Sequence, residues 1–135
     1  MHLQPYVFFN GRCQEAVDFY KQAIGAEVET LMRFKDAPDQ SMVPPGSADK
    51  IMHCSLRIGD TTLLASDGQS DKQPAFDGFA LTITAENEAK VDRLFDALGQ
   101  GGEVRMAPAE TFFSPRFAML TDKFGVHWML LAEKK

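Results

Sequence analysis

Residues 15–25 read EAVDFYKQAIG, and residues 89–99 read AKVDRLFDALG. Both stretches carry Val-Asp and, at the same offset, Ala followed by Ile or Leu and then Gly, and a Glu-Val pair comes shortly after each. An internal repeat governs the fold wherever it occurs, and two copies are too few for a solenoid. The repeat therefore predicts one domain made of two similar halves around a shared cleft.

The composition is that of an ordinary globular domain. The chain has 135 residues, 44% of them hydrophobic and 24% charged, which is enough to bury a core. A net charge of −5 disfavours nucleic acid or an anionic membrane as the main partner. No apolar run approaches the ~18–20 residues that span a bilayer, and the first residues lack the basic and apolar regions of a secretion signal. We therefore expect a cytoplasmic protein with no nucleic-acid and no membrane partner.

The two cysteines and the single tryptophan give predictions about the redox state and the core. Cys13 and Cys54 form no Cys-x-x-Cys motif, so reduced thiols are expected in a cytoplasmic protein, with a disulfide as the alternative. Cys54 falls on the apolar side of an alternating strand and is expected to be buried. Trp128 alternates away from the polar side of its own strand, and we expect it to be buried against Phe19 or Phe95 from the helices.

The first half of the chain has the pattern of a strand, a helix and three more strands. Apolar residues recur at helical spacing up to Gly25, a plausible helix stop, and residues 51–58 alternate between apolar and polar. Residues 35–49 contain three prolines and small polar residues and are predicted to be a loop. The predicted elements are strand 6–9, helix 13–23 and strands 28–34, 51–58 and 61–66.

The second half repeats this order after a polar connector at 67–77. Asn87 or Thr84 is expected to cap its helix. The predicted elements are strand 79–84, helix 87–98 and strands 104–106, 117–121 and 126–131. The pattern is βαβββ twice, so we predict a single α+β domain over residues 1–135, with one module at 1–67 and a second at 77–133.

This order of elements resembles the vicinal oxygen chelate superfamily, which contains glyoxalase I, bleomycin- and fosfomycin-resistance proteins and extradiol dioxygenases. Within it, the chain is most similar to the PhnB proteins, over nearly its whole length. The resemblance rests on the opening at 5–27, the strands at 51–58, and a closing stretch with ETFF at 110–113, TDKFGV at 121–126 and WM at 128–129. The chain departs from the family at Phe113-Ser114, where Trp-Gly or Trp-Ala is usual, and at Lys123, where many relatives have Pro.

The resemblance implies an architecture and an assembly. Two βαβββ modules would form a curved mixed sheet around a cleft, with the helices on its convex side. In the enzymes of the superfamily this cleft holds metal and substrate, and many members are homodimers. A homodimer is therefore the expected state of this chain.

The resemblance also implies where metal ligands would stand. The glyoxalase-like enzymes use His, Gln or Glu on four strands, and these positions fall at Gln4 or Pro5, near Leu64, at Phe79 and at Met129. Pro, Leu and Phe have no side-chain donor for a divalent ion, and Met suits only soft ions. We therefore expect no metal and no other cofactor, and we assign no catalytic residue.

Side chains expected to face the cleft form the predicted ligand site. His53 lies on the polar side of its strand, and His127 shares a side with Met129. Among the aromatics, Phe79 and Phe113 are the best candidates for a pocket wall, because pockets for organic ligands are mostly apolar with a few polar groups. Purely structural roles remain open for the histidines and for most aromatics. The predicted ligand-binding residues are Tyr6, His53, Ser55, Phe79, Phe113, His127 and Met129.

Three functions are compatible with these features. The first is metal-free binding of a small apolar or amphipathic molecule in the cleft between the modules. The second is a metal-dependent lyase or dioxygenase with relocated ligands, and the third is a purely structural or interaction role. No glycine-rich turn follows a strand as in Rossmann-type sites for S-adenosylmethionine, and Arg57 and Arg116 are isolated in sequence, so no cluster for a phosphonate is evident.

Overall fold

The computed structural model describes residues 1–69 and 72–134, without the side chain of Met42. The chain forms two compact units, Met1–Pro74 and Ala75–Lys135. Each unit contains one four-stranded sheet and one α-helix. None of the helices in the described part is long and apolar enough to cross a membrane.

The first unit has the predicted βαβββ order. Its sheet runs β1-β4-β3-β2, with β1 parallel to β4 and the other neighbours antiparallel. Two short 3-10 turns, Phe34–Asp36 and Gln40–Met42, lie in the predicted loop. The elements are β1 (Tyr6–Phe8), α1 (Cys13–Ile24), β2 (Glu27–Arg33), β3 (Ile51–Ile58) and β4 (Thr61–Ser66).

The second unit repeats this topology. Its sheet runs β5-β8-β7-β6, and β5 is again parallel to β8. The elements are β5 (Leu81–Ala85), α2 (Glu88–Leu98), β6 (Glu103–Ala109), β7 (Phe117–Thr121) and β8 (His127–Ala132). The prediction of an α+β fold with two βαβββ modules and mixed sheets is confirmed.

One strand starts later than the sequence predicts. We expected a strand from Phe79, but β5 begins at Leu81. Gly78 has a φ of 84° in the turn that precedes it, a conformation that interrupts an extended chain. Phe79 therefore lies outside the sheet and is 48% exposed.

The two helices begin in different ways. α2 has a local cap. The Asn87 side chain accepts a hydrogen bond from the backbone N–H of Lys90 at 2.8 Å, so Asn87, one of the two predicted residues, caps this helix. α1 has Arg12 at the corresponding position, with no side-chain cap. The carboxylate of Asp67, at the far end of β4, instead accepts the backbone N–H groups of Gly11 at 2.7 Å and Cys13 at 2.9 Å.

The core of each unit lies between its helix and one face of its sheet. α1 contacts β3, and α2 contacts β7 and β8. Trp128 is 2% exposed, as predicted, and its indole N–H donates to Asp122 at 2.9 Å. Phe19 and Phe95 are only half-buried, contrary to expectation. The fully buried helix positions belong to other residues, among them Val17, Tyr20, Val91 and Leu98.

Strand alternation separates a helical face from a non-helical face in both sheets. In β3, Cys54 and Leu56 are buried, whereas His53 and Ser55 are half-buried on the other side. In β8, Trp128 is buried, whereas His127 and Met129 are half-buried. The predicted sidedness of β3 and β8 is therefore confirmed.

Both sheets end in an irregular strand. The pairing of β2 with β3 shifts register twice, between Val28 and Thr30 and between Met32 and Arg33. The pairing of β6 with β7 also shifts twice, between Val104 and Met106 and between Met106 and Ala109. Each extra residue bends its strand and increases the local twist.

Candidate functional site

Three rings come together on the non-helical face of the first sheet. The hydroxyl of Tyr6 lies 3.0 Å from Nδ1 of His53, and the two ring centroids are 5.6 Å apart. The ring of Phe8 lies 4.9 Å from that of Tyr6, centroid to centroid. We call Tyr6, Phe8 and His53 the aromatic face. Tyr6 and Phe8 come from β1 and His53 from β3, so the Tyr6 side chain reaches across β4 to make its hydrogen bond.

Strand register explains this meeting. Tyr6 pairs with Leu64 of β4, and Leu64 pairs with Ser55 of β3, so these three side chains form one row across the sheet. His53 lies two residues from Ser55 on the same strand and therefore on the same face. Successive residues on one face of a strand are close enough for a tyrosine to reach the diagonal neighbour. The structure thus brings together three of the predicted ligand-binding residues, Tyr6, His53 and Ser55.

The Tyr6–His53 hydrogen bond determines what the imidazole offers to a ligand. A neutral imidazole donates from one ring nitrogen and accepts at the other. When the Tyr6 hydroxyl donates to Nδ1, the histidine proton sits on Nε2, which becomes a donor for a ligand carbonyl or hydroxyl. The pair is therefore a small polar group fixed within an apolar surface.

A cavity adjoins the aromatic face at Phe8. Its volume is about 370 Å³, and it is lined by Phe8 together with Asn10, Gly68, Gln73 and Pro74, among others. Gly68 has a φ of 68°, and a methyl group there would lie 3.0 Å from Cδ1 of Phe8, so the close approach of chain and ring requires glycine. The volume lies in the range of small-molecule sites. Phe8 is not among the residues predicted to bind a ligand, because no periodic signal in the sequence marks this cavity.

The two arginines that are isolated in sequence are each paired with a carboxylate. The guanidinium of Arg57 binds the carboxylate of Glu27, its partner in the strand register. Arg116, in the second unit, holds both carboxylate oxygens of Asp92, at 2.8 and 3.2 Å. Both arginines are therefore already engaged by carboxylates. This agrees with the sequence, which shows no arginine cluster for an anionic ligand.

The second unit places its histidine in a similar setting. Nδ1 of His127 lies 2.8 Å from the hydroxyl of Thr121 on the neighbouring strand β7. Nε2 lies 4.0 Å from a carboxylate oxygen of Asp77. In β8, Met129 shares the non-helical face with His127 and pairs with Met119 and Thr82. In both units, then, a hydroxyl from another strand engages the histidine Nδ1.

The two predicted pocket phenylalanines of this unit lie outside its strands. Phe113 belongs to the loop between β6 and β7, where its ring contacts Phe117 edge-on at 5.0 Å and Phe112 at 5.2 Å. Phe79 precedes β5 in the chain, and the β5 residue opposite Met129 is Thr82. The register therefore does not place Phe79 beside Met129.

The chemistry of these faces offers little to a hard metal ion. The positions that the resemblance assigns to the metal ligands carry Gln4 or Pro5, Leu64, Phe79 and Met129. Proline, leucine and phenylalanine have no side-chain donor atom, a thioether selects soft ions, and Gln4 would be a single hard donor. Among the described residues, no three of His, Cys, Asp and Glu lie together in a group that could hold a metal ion. The residues present do not fit a glyoxalase-type metal site.

Two buried carboxylates were not singled out from the sequence. Asp67 accepts the N–H of Ile51 at 2.8 Å in addition to those of Gly11 and Cys13. Asp122 accepts the N–H groups of Phe124 and Val126 as well as the indole of Trp128. Both carboxylates accept backbone N–H groups of the protein itself, which gives them a structural role. The partners of Asp67 are 16 to 56 residues away, so no local signal marks it, whereas those of Asp122 lie within six residues, in the turn between β7 and β8 and at the start of β8.

Comparison with known proteins agrees with the fold and identifies the family. The two βαβββ units are those of the vicinal oxygen chelate fold. The fosfomycin resistance protein FosX from Listeria monocytogenes has this fold too. It is similar with a TM-score of 0.67 and 12% identity, over 98% of this chain and 94% of that chain. Residues 1–131 match the family described as 3-demethylubiquinone-9 3-methyltransferase. The chain belongs to this PhnB-like family, as its sequence resemblance indicates.

Similar proteins cover the whole chain. Protein YjdN of Escherichia coli K12 is 32% identical over 100% of this chain and 97% of its own length. The crystal structure of protein PA1353 from Pseudomonas aeruginosa is similar with a TM-score of 0.89 and 37% identity, over 100% of this chain and 99% of that one. A Bacillus cereus protein described as a putative 3-demethylubiquinone-9 3-methyltransferase and PhnB protein is similar with a TM-score of 0.79 and 24% identity, over 98% and 99% of the two chains.

Proposed function

We propose that this PhnB-like protein binds a small apolar or amphipathic molecule, without a metal, at the aromatic face and the adjoining cavity of its first unit. The observation that carries the proposal is the Tyr6–His53 hydrogen bond, set in an exposed aromatic surface beside a cavity of about 370 Å³. Apolar walls with a few fixed polar groups are typical of small-molecule sites. The aromatic face and its cavity have both features, apolar rings and one fixed polar pair.

The exposure of the rings supports a binding role. Phe8 is 52% exposed and Tyr6 38%, although both lie on a regular strand whose other side, at Val7, is buried. Phe8 touches both the Tyr6 ring and the cavity, so one planar ligand could contact all of them. A flat molecule stacked there would remove apolar surface of both partners from water, at roughly 25 cal/mol per Å² before the cost of association.

The polar groups favour an uncharged ligand. Arg57 is paired with Glu27, and the cavity lining includes one cation, Lys72, and one anion, Asp67, so neither charge is in excess there. The chain carries a net charge of −5, so a simple anion gains little near this face. The imidazole Nε2 of His53 can make one hydrogen bond with the ligand. We therefore expect an uncharged aromatic molecule that carries a carbonyl or hydroxyl group.

Two other activities have less support. A metal-dependent lyase or dioxygenase would need donors that Leu64, Phe79 and Met129 do not supply. The family description names a methyltransferase, but the sequence has no glycine-rich strand-to-helix turn for S-adenosylmethionine. Homodimer formation and a cytoplasmic location stay predictions.

The proposal can be tested by nuclear magnetic resonance titration with uncharged aromatic probes, for example benzamide and 4-hydroxyacetophenone. We expect saturable shifts of the Tyr6, Phe8 and His53 signals, with dissociation constants of about 1 mM as befits fragments. Phe8→Ala should weaken binding at least about fivefold, since it removes the ring shared by face and cavity. Val104→Ala, which truncates an exposed apolar side chain of the second unit, is the matched control and should leave binding unchanged.

Three results would contradict the proposal. Probe-induced shifts spread over both units, or equal weakening by Phe8→Ala and Val104→Ala, would indicate nonspecific adsorption. Tight, stoichiometric binding of Ni²⁺ or Zn²⁺ in calorimetry would favour the metal-dependent enzyme instead.

A further inference from the structure

The two cysteines of the chain lie in contact. Cys13 is the first residue of α1 and Cys54 lies in β3, and their Sγ atoms are 3.9 Å apart. Both side chains are fully buried and both are free thiols. With only two cysteines in 135 residues, a sequence without a Cys-x-x-Cys motif gives no sign of this pairing. The fold alone brings them together, from a helix and a strand.

The geometry points to Cys13 and Cys54 as a site of reversible oxidation, at which a small peroxide converts the two thiols into a disulfide that joins α1 to β3. The proposal does not depend on the ligand of the aromatic face. A disulfide requires the sulfur atoms to approach to about 2.05 Å, with Cβ atoms about 3.5–4.5 Å apart. From 3.9 Å, the bond requires rotation about the side-chain bonds and a shift of the first helical turn toward β3.

The reaction balances with hydrogen peroxide as the oxidant. The Cys54 thiolate attacks one peroxide oxygen, the O–O bond breaks, and the hydroxide released takes up a proton to become water. The resulting sulfenic acid is attacked at sulfur by the Cys13 thiolate, which forms the S–S bond and expels a second hydroxide, again protonated to water. Two thiols and one peroxide thus give one disulfide and two waters.

The contact lets one thiol activate the other. When the Cys13 thiol donates, the hydrogen bond lowers the pKa of Cys54, while the same hydrogen bond, followed by burial, raises the pKa of Cys13. Cys54 is accordingly written as the attacking thiolate and Cys13 as the resolving thiol, and the reverse order gives the same disulfide. Once Cys54 is neutralised as a sulfenic acid, the group that disfavoured ionisation of Cys13 is gone.

Burial makes the site selective. Because both sulfur atoms are enclosed, an oxidant reaches them only when the N-terminal turn of α1 opens, and a small uncharged peroxide enters most easily. Three hydrogen bonds to the Asp67 carboxylate hold this turn and the start of β3 together, through the N–H groups of Gly11, Cys13 and Ile51. Oxidation should therefore be slow in the native protein and faster when Asp67 is replaced.

The test uses the reduced full-length protein, treated with hydrogen peroxide and analysed by intact mass and peptide mapping after alkylation. We expect a monomeric product lighter by two hydrogen atoms, with a Cys13–Cys54 cross-linked peptide that dithiothreitol removes. The bond closes a loop of some 40 residues, so the melting temperature should rise by about 10 °C. Asp67→Asn should cross-link at least about threefold faster.

Cys13→Ser and Cys54→Ser each leave one thiol and serve as matched controls, with Cys13→Ala and Cys54→Ala as alternatives where serine impairs folding. Neither single variant should show the melting shift. The proposal is overturned if both wild-type thiols remain alkylable, if Cys54 proceeds to sulfinic acid without cross-linking, or if the cross-link joins two chains. It is equally overturned if the cross-linked protein melts at a lower temperature than the reduced form. Mapping of the wild-type product decides the matter even where no variant folds.

Discussion

The two halves of this chain make the same fold but fix their helices differently. In the second unit, Asn87 caps α2 from the adjoining residue, by a hydrogen bond to the N–H of Lys90. In the first unit the first turn of α1 is held by Asp67, which is more than fifty residues away in sequence. A duplicated topology therefore does not require a duplicated set of polar contacts.

The buried carboxylates show the same divergence. Asp67 joins the helix start to β3 in the first unit, whereas Asp122 closes the turn between β7 and β8 and holds the indole of Trp128 in the second. Each satisfies three donors that would otherwise be costly to bury. Each module thus has a buried carboxylate, at a different place in its topology.

The largest effect is expected in the second unit, from Trp128→Ala. This change removes a side chain that is 2% exposed and leaves Asp122 without one of its donors, so unfolding should become easier by about 3–5 kcal/mol. Denaturant unfolding followed by circular dichroism measures the loss, because the substitution also removes the single tryptophan as a fluorescent probe.

Phe112→Ala is the control for this change, since Phe112 is 90% exposed and its truncation should alter stability by less than about 0.5 kcal/mol. A loss below about 1 kcal/mol for Trp128→Ala would mean that the faces of β8 are reversed.

Asp67→Ala should cause the next largest loss of stability. It leaves the buried N–H groups of Cys13 and Ile51 without their acceptor, and we expect a loss of about 3 kcal/mol. Denaturation of the full chain measures it, with the exposed Asp60→Ala as a matched removal of one carboxylate. Similar values for the two variants would show that Asp67 does not anchor α1.

Asn87→Ala should have the smallest effect, about 1 kcal/mol, because only one hydrogen bond at an exposed helix start is lost. Asn87→Ser keeps an oxygen acceptor and should retain most of the stability. If Asn87→Ala proves as damaging as Asp67→Ala, the distinction between a local and a distant cap fails.

The sequence predicted the parts of the fold that depend on local patterns. The repeated helices, the sidedness of β3 and β8 and the cap at Asn87 follow from spacing within a few residues, and all are present. The late start of β5 was not predicted, because it follows from a turn at Gly78. The partial exposure of Phe19 and Phe95 was not predicted either, because Val17 and Val91 occupy the buried positions of the helices.

The candidate site was predictable only in part. Tyr6, His53 and Ser55 meet because alternation and parallel pairing of β1 with β4 place them on one face. The cavity beside Phe8 and the contact of Cys13 with Cys54 depend on how a loop and a helix close onto the sheet. Such contacts join residues distant in sequence and leave no periodic trace.

The two register shifts in the pairing of each outer strand, β2 and β6, affect how this protein behaves at high concentration. A flat border strand presents unpaired N–H and C=O groups to other chains and invites amyloid-like stacking. The β2–β3 pairing has one extra residue in each strand, and β6 has two extra residues against β7. β2 and β6 also carry charges such as Glu29 and Arg105, and β6 includes Pro108, which has no N–H to donate. These irregular borders interrupt the continuous ladder that a fibril would need, and so favour solubility in a crowded cell.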